Sequence, residues 1–368
     1  MKRIIISGGG TGGHIYPAIT IYKEIAAMTD AEFLYVGTEQ GLEAGIVPKE
    51  GIPFKTLSVQ GLNRSLSWRT LVTLGKTLGS LVQANKIISD FKPDIVIGTG
   101  GYVCGPILLA AALRKIPTLI QEQNTIAGVT NKILSRFVDV VAVGFEEAKA
   151  AFGKAKRVVY TGNPVRPEVL VDTREAGREF FGLKDDEFAV LIAGGSRGAR
   201  SINTAMIEVH QHFKDVKGIK LIHVTGTNEY DRVLKALGVT DGKEFSESSL
   251  IVPYMYEMPK ALAAADLAVF RAGAVGLAEL TVRGIPSLSI PYPYAAEDHQ
   301  TYNARSLVSA GAARMIVDKM LRGKDLISDI EFYLANPGEL ERMAKAAKTL
   351  GKPGAARHIA ELALEIAK

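Results

Sequence analysis

Residues 4–18 of the 368-residue chain read Ile-Ile-Ile-Ser-Gly-Gly-Gly-Thr-Gly-Gly-His-Ile-Tyr-Pro-Ala, and this stretch constrains the fold more than any other. The β-branched run Ile4–Ile6 has the continuous apolar character of a strand buried on both faces of a parallel sheet. Five glycines and Thr11 follow within the next few residues, then His14 and Pro17. Pro17 suits the first turn of a helix, where its missing N–H costs nothing. The unit therefore reads as strand, glycine loop, helix N-terminus. Such a loop lets backbone N–H groups approach a phosphate, and the helix dipole favours the negative charge.

The rest of the chain repeats this alternation. Helical patterns over 17–28, 40–48, 66–88, 105–114 and 127–136 are interleaved with strands at 32–36, 54–57, 94–97, 118–120, 138–142 and 157–160. Thr161-Gly162-Asn163-Pro164-Val165-Arg166-Pro167 has the composition of a linker. The domain boundary is expected there, with residues 1–163 forming one unit and 164–352 a second. The second half opens like the first: strand 188–193, then Gly194-Gly195-Ser196-Arg197-Gly198-Ala199, then a helix from about Asn203. Asp94–Gly101 and Asp266–Gly273 share a pattern as well. Pro353 sets off a terminal helix over 354–367. This is the order of an α/β protein with two doubly wound, Rossmann-like parallel sheets, whose ligand loops at the carboxyl ends of the strands would face a common cleft.

Composition narrows the function. Forty-four basic residues against 39 acidic ones give a formal charge of +5, which suits an anionic substrate or membrane surface but is no nucleic-acid signature. A single cysteine, Cys104, rules out an internal disulfide and fits a reducing compartment. No stretch approaches ~20 uninterrupted apolar residues, so no membrane span is expected. A strand begins almost at the first residue, so no secretory leader is expected either. Cytoplasmic placement follows.

Gly8, Gly10 and Gly13 satisfy G-x-G-x-x-G, which invites a nicotinamide dehydrogenase with Glu39 on a ribose. Pro17, by delaying the helix, and His14, directly after the loop, both depart from that fingerprint. A histidine in this place suits a general base. His210 and His212 stand at i, i+2 on a helix and do not share a face, so a metal pair is not expected. There is no Asp-x-Asp pair to hold a divalent ion on a pyrophosphate. The 194–199 loop, with Ser196 and Arg197, again fits phosphate. Gly273–Gly276 forms a third loop, with Glu279 about one turn into the next helix. A carboxylate there repels phosphate and suits a ribose diol, so the second half reads as a nucleoside-diphosphate site. In the 66–88 helix, Trp68, Leu71, Val72, Leu78 and Val82 share a face that is core by default. Gly75 and Gly79 on that face, and Arg64, Arg69, Lys76 and Lys86 around it, leave an interfacial role open.

Gly-Gly-Thr-Gly-Gly-His (9–14), Gly-Thr-Gly-Gly-Tyr (98–102), Glu-Gln-Asn (122–124), Gly-Asn-Pro-Val-Arg (162–166), Gly-Gly-Ser-Arg-Gly-Ala-Arg (194–200) and Asp-His-Gln-Thr-x-Asn-Ala (298–304) occur in this order. Together they resemble the MurG family, the UDP-N-acetylglucosamine transferases that act on undecaprenyl-pyrophosphoryl-MurNAc-pentapeptide in bacterial peptidoglycan synthesis. The resemblance spans nearly the whole chain. It implies a GT-B fold, with helix 353–368 packing back on the first domain, and an inverting hexosyltransferase that turns lipid I into lipid II without metal or cofactor.

The resemblance also implies residue roles. His14 and Glu122 would stand at the reaction centre. The donor would be met by Thr11, Gly12, Gly13, Asn124, Arg166, Ser196, Tyr254, Met255, Ala274, Val275, Gly276, Glu279, His299 and Gln300. The acceptor would be met by Gly9, Gly10, Gly100, Gly101 and Tyr102. Gly276 stands where the family often has Thr, and Cys104 where it often has Ser. The implied partners are UDP-GlcNAc, lipid I, cell-wall synthesis or division proteins, and the cytoplasmic face of the cell membrane. Peripheral contact with that face would run through a patch at Arg64, Trp68, Arg69, Leu71 and Leu78, with Arg114 and Lys115 adjoining. A UDP-GlcNAc 2-epimerase of the same fold and a nicotinamide-dependent dehydrogenase are the alternative readings.

Overall fold

The computed structural model describes residues 1–59, 68–195 and 198–367, with only the backbone of 68–78. It divides into two compact units, Met1–Val165 with Pro353–Lys368, and Arg166–Lys352.

In the first unit the described elements are β1 (Lys2–Ser7), α1 (Gly12–Met28), β2 (Ala31–Gly37), α2 (Leu42–Ile46), β3 (Phe54–Thr56), α3 (Trp68–Phe91), β4 (Ile95–Gly98), α4 (Cys104–Leu113), β5 (Thr118–Glu122), α5 (Val129–Leu134), β6 (Val140–Val143) and β7 (Val158–Tyr160). The strands pair in the order β3-β2-β1-β4-β5-β6-β7, all parallel. Their β-branched runs are buried on both faces, as a helix-covered parallel sheet requires. One face packs on α3 and α4 through Ile87, Ile88, Ile107 and Leu108.

In the second unit α6 (Pro167–Val171) and α7 (Arg174–Phe180) precede β8 (Phe188–Ala193), α8 (Arg200–His212), β9 (Ile219–Val224), α9 (Tyr230–Leu237), β10 (Ser249–Val252), α10 (Met258–Ala264), β11 (Leu267–Phe270), α11 (Ala274–Arg283), β12 (Ser287–Ser289), α12 (His299–Ser309), β13 (Ala313–Met315), α13 (Gly323–Ala335) and α14 (Pro337–Leu350). The sheet order β10-β9-β8-β11-β12-β13 is again parallel throughout. Helix α15 (Ala355–Ile366) belongs to the first unit. Its Ile359, Ala360, Leu362 and Ala363 join Ile4, Ile6, Ile15 and Ile21 on the other face of the first sheet.

The internal echo has a structural meaning. Asp94 takes the Arg3 amide on its carboxylate at 2.7 Å and donates its own N–H to the Arg3 carbonyl. Asp266 does the same with Ala189, at 2.8 Å each way. In both sheets this aspartate locks the fourth strand beside the first, at the point where strand order reverses. Ligands of doubly wound sheets bind outside the carboxyl ends of strands at such switch points. The loops after β1 and β4, and after β8 and β11, occupy them.

Several expectations are corrected. Helix α1 starts at Gly12, so Pro17 lies inside it. Its ring φ is helical, and it removes only the N–H that would have bonded the Gly13 carbonyl. The delayed helix thus no longer argues against a dinucleotide loop. Pro167, read as linker, opens α6. The short elements α6, α7 and β13 carried no periodic signal strong enough to read. Val82, placed on the core stripe of α3, is 71% exposed, and the other stripe side chains, Trp68, Leu71, Val72 and Leu78, lie outside the described residues.

Candidate functional site

In the first unit the loops after β1 and β4 pack backbone to backbone. Gly9 N–H donates to the Gly100 carbonyl at 3.3 Å. Gly101 adopts φ +83°, and a Cβ there would lie 2.4 Å from the Gly9 carbonyl, so no side chain fits. The β1 loop is clamped from several sides. Tyr35 hydroxyl donates to the Gly8 carbonyl at 2.6 Å, Thr99 hydroxyl to the His14 carbonyl at 2.7 Å, and Glu43 Oε2 accepts the Gly10 N–H at 3.1 Å. Gly9 and Gly10 were expected to offer their amides to the acceptor. Both amides are instead used within the protein, which leaves Thr11, Gly12 and Gly13, at the N-terminus of α1, as the donors suited to an anion.

His14 stands in the first turn of α1. Its Nδ1 lies 2.9 Å from the Gly9 carbonyl and 3.3 Å from Thr11 Oγ1. A carbonyl only accepts, so Nδ1 carries the hydrogen, and in the neutral ring the lone pair is on Nε2. That edge of the ring faces the β4 loop: a Cβ on Gly100 would lie 3.1 Å from Nε2. Tyr102, 38% exposed, covers Gly10.

Glu122 is the last residue of β5. Expected at the reaction centre, it is 2% exposed and its carboxylate already has four contacts. Oε1 accepts from Asn124 N and Nδ2, and Oε2 from Gly128 N and Asn131 Nδ2, at 2.9–3.3 Å. It folds the 123–128 loop onto α5, and Asn124 is carried on that loop. Cys104 donates to the Ser7 and Gly100 carbonyls, and burial pushes its thiol up to about 11, so it is no nucleophile.

In the second unit, Gly195 (φ +94°) and Gly198 (φ +83°) turn the loop after β8; Ser196 and Arg197 lie outside the described residues. Helix α11 begins at Ala274 rather than at Gly276, with Gly273 as its N-cap. The first-turn amides are therefore those of Ala274, Val275 and Gly276, a ready anion site. Arg166 Nε donates to Glu279 Oε1 at 2.8 Å. This pairing offsets the charge of Glu279, so the repulsion argument for a ribose loses its force. The pair instead sets a cation and a carboxylate side by side.

The loop preceding α12 carries Glu297 and Asp298 at φ +53° and +54°, a conformation that costs roughly 1 kcal/mol or more per non-glycine residue. This turn leads directly into α12, which opens with His299 and Gln300. His299 Nδ1 donates to the Ala296 carbonyl at 2.7 Å, and Gln300 Oε1 accepts the Tyr292 N–H at 2.9 Å. Tyr254 is exposed and packs edge-on to Tyr256, with Met255 half-buried between them.

Sequence reasoning missed Arg271. It donates to the Ile290 and Pro291 carbonyls, to Asp318 Oδ1 at 2.5 Å and to Ser201 Oγ at 2.9 Å. One guanidinium thus holds the starts of the chain segments that follow β8, β12 and β13. Its place directly after β11, ahead of a glycine, was the available signal. His210, dismissed as half of a metal pair, is buried beside His223. Ser249 hydroxyl, His210, His223, Asn203 and the Thr225 carbonyl form one chain of contacts at 2.8–3.0 Å. Burial pushes His210 down to about 3 and His223 well below the usual range, so both rings are neutral. Among the described residues no cluster of His, Cys, Asp and Glu has metal-site geometry.

Comparison with known proteins adds the following. Residues 4–143 match the glycosyltransferase family 28 N-terminal domain and residues 189–359 its C-terminal domain. The chain is 48% identical over 361 residues, 98% of each chain, to the UDP-N-acetylglucosamine--N-acetylmuramyl-(pentapeptide) pyrophosphoryl-undecaprenol N-acetylglucosamine transferase of Caldanaerobacter subterraneus subsp. tengcongensis. The crystal structure of Acinetobacter baumannii MurG superposes with a TM-score of 0.79 at 29% identity, covering 99% of this chain and 100% of that one. A UDP-GlcNAc 2-epimerase from Neisseria meningitidis, at 15% identity and a TM-score of 0.68 over 99% and 100% of the two chains, shares the fold alone.

Proposed function

The chain belongs to the MurG family within glycosyltransferase family 28, and from that premise we propose that it moves N-acetylglucosamine from UDP-GlcNAc to the 4-hydroxyl of MurNAc in undecaprenyl-pyrophosphoryl-MurNAc-pentapeptide, with inversion at the anomeric carbon. The product is lipid II. The observation that carries this reading is the 48% identity, over 98% of the chain, to a transferase named for that reaction.

The first unit takes the acceptor and the second the donor. Thr11, Gly12 and Gly13, which the resemblance gives to the donor, are assigned here to the acceptor diphosphate, because the Gly9 and Gly10 amides of the same loop are used within the protein and the α1 dipole stands behind the next three. His14 Nε2 takes the proton of the attacking hydroxyl as its oxygen bonds to the anomeric carbon and the bond from that carbon to UDP breaks. The charge released on UDP is met by Arg166, Ser196 and the Ala274–Gly276 amides; each such preorganised donor is worth roughly 3–4 kcal/mol. Glu279, bridging from Arg166, takes ribose hydroxyls, and Tyr254 and Met255 the base. His299, Gln300 and Asn124 read the sugar. The Nδ1–H tautomer of His14 supports its part in this scheme, since it puts the lone pair on the nitrogen away from the helix turn.

Among the described residues no helix is long and apolar enough to cross a membrane. A lipid-linked acceptor brings the enzyme to the cytoplasmic membrane face as a peripheral protein. Exposed Val82 of α3, Leu113 of α4, and Val129, Ile133 and Phe137 on and after α5 supply an apolar surface on consecutive helices. Lys86, Arg114, Lys115, Lys132 and Arg136 lie among them in the chain. Leu71 and Leu78 have side chains outside the described residues, as do Trp68 and Arg69; Arg64 lies outside them altogether.

The deciding experiment supplies labelled UDP-GlcNAc with and without a lipid I analogue. Label entering the lipid only when acceptor is present supports the transfer. An epimerised UDP-sugar formed without acceptor would replace it with the epimerase reading.

A further inference from the structure

Glu43, second in α2, is fully buried, and among the described residues it has no ion-pair partner. Hydrogen bonds hold it. Oε1 accepts from Thr38 N at 3.0 Å and from Thr38 Oγ1 at 2.7 Å, and Oε2 accepts from Gly10 N at 3.1 Å. Burial works to raise its carboxyl, and these donors overcome it and leave the group below the usual range, so it is an anion at neutral pH. The seat is built for it: a Cβ on Gly9, Gly37 or Gly41 would come within 2.5, 2.7 or 2.2 Å of this side chain.

The Gly10 N–H that meets Glu43 and the Gly9 carbonyl that meets His14 Nδ1 are the two ends of one planar peptide unit. We propose that Glu43 is a positioning residue for His14, acting through the Gly9–Gly10 peptide as a carboxylate–peptide–histidine relay. The inference rests on the reading of His14 as the base. An anion on the N–H end polarises the amide and strengthens its carbonyl as an acceptor. The carbonyl then holds Nδ1–H, keeps the lone pair on Nε2, and stabilises the imidazolium formed when Nε2 takes a proton. A carboxylate bonded directly to histidine does the same in other enzymes. The titratable groups facing Glu43 are Tyr35 of β2 and Cys104 of α4, both kept neutral by burial, so nothing there offsets its charge.

The test is nitrogen-15 NMR titration of His14 in the wild-type chain and in Glu43→Gln, with turnover and thermal unfolding measured alongside. Loss of the charge is expected to lower the His14 pKa by about half a unit or more and to populate the other tautomer. In the same variant kcat should fall on the order of tenfold with both KM values held. An unchanged His14 titration in a folded Glu43→Gln chain overturns the inference. Should the variant not fold, the wild type decides: the Glu43 carboxylate carbon should shift as His14 titrates, and a resonance that ignores it overturns the inference. His14→Ala with undiminished turnover would remove the base reading instead, leaving the NMR coupling intact.

Discussion

Arg166 Nε donates to Glu279 Oε1 across 2.8 Å, joining the first residue of the second unit to the middle of α11. Glu279 is nearly buried and Arg166 a third exposed, so the pair presents its cationic side outward. Glu279→Ala should weaken UDP-GlcNAc binding roughly ten- to a hundredfold, the range for hydrogen bonds to charged groups, with acceptor binding unchanged. Calorimetric titration of each substrate checks this. Equal loss of both would refute the ribose role.

For His14→Ala we expect kcat to drop by about 10²–10⁴, the usual contribution of a positioned base, with the donor KM little altered. Steady-state kinetics at saturating acceptor measure it. A variant turning over near the wild-type rate would end the assignment.

The buried His210–His223 pair predicts a pH effect on stability. Both rings have folded-state pKa values below the unfolded value near 6.5, so the unfolded chain binds protons that the folded one refuses. The contribution is full above pH 6.5 and is lost as pH falls toward 3. By pH 5.5 about 1.4 kcal/mol of it per histidine has been lost. Urea unfolding at pH 7.5 and 5.5 should show the loss in the wild type and a smaller loss in the His210→Gln/His223→Gln double variant. Equal slopes would count against the pair.

Membrane contact predicts that Leu113→Ser, Ile133→Ser and Phe137→Ser together weaken binding to vesicles containing anionic lipid. Added salt should weaken it further, since each base near such a surface is worth ~1 kcal/mol. Co-sedimentation measures both. Binding that survives the triple variant and high salt would place the contact elsewhere.

Much of the site was legible because glycine loops after apolar strands are local signals. The loops at 8–13, 98–101, 194–199 and 273–276 all fall after the strands flanking the two switch points. What could not be read was which of their amides remain for a ligand. Gly10 seemed as available as Gly12, and Glu122 as available as His14. Glu43 and Asn131, which occupy Gly10 and Glu122, act through folded contacts that no spacing announces.

The sequence by itself determined the alternation of strands and helices, the two-unit order and the family, because apolar runs, glycine loops and ordered motifs are written in contiguous residues. Only the tertiary structure decided that α1 begins at Gly12, that Glu279 is paired with Arg166, and that Arg271 ties several loops together. Those outcomes depend on hydrogen bonds between residues up to 113 positions apart, and such groups find each other only once the parallel sheets have brought their strand ends together.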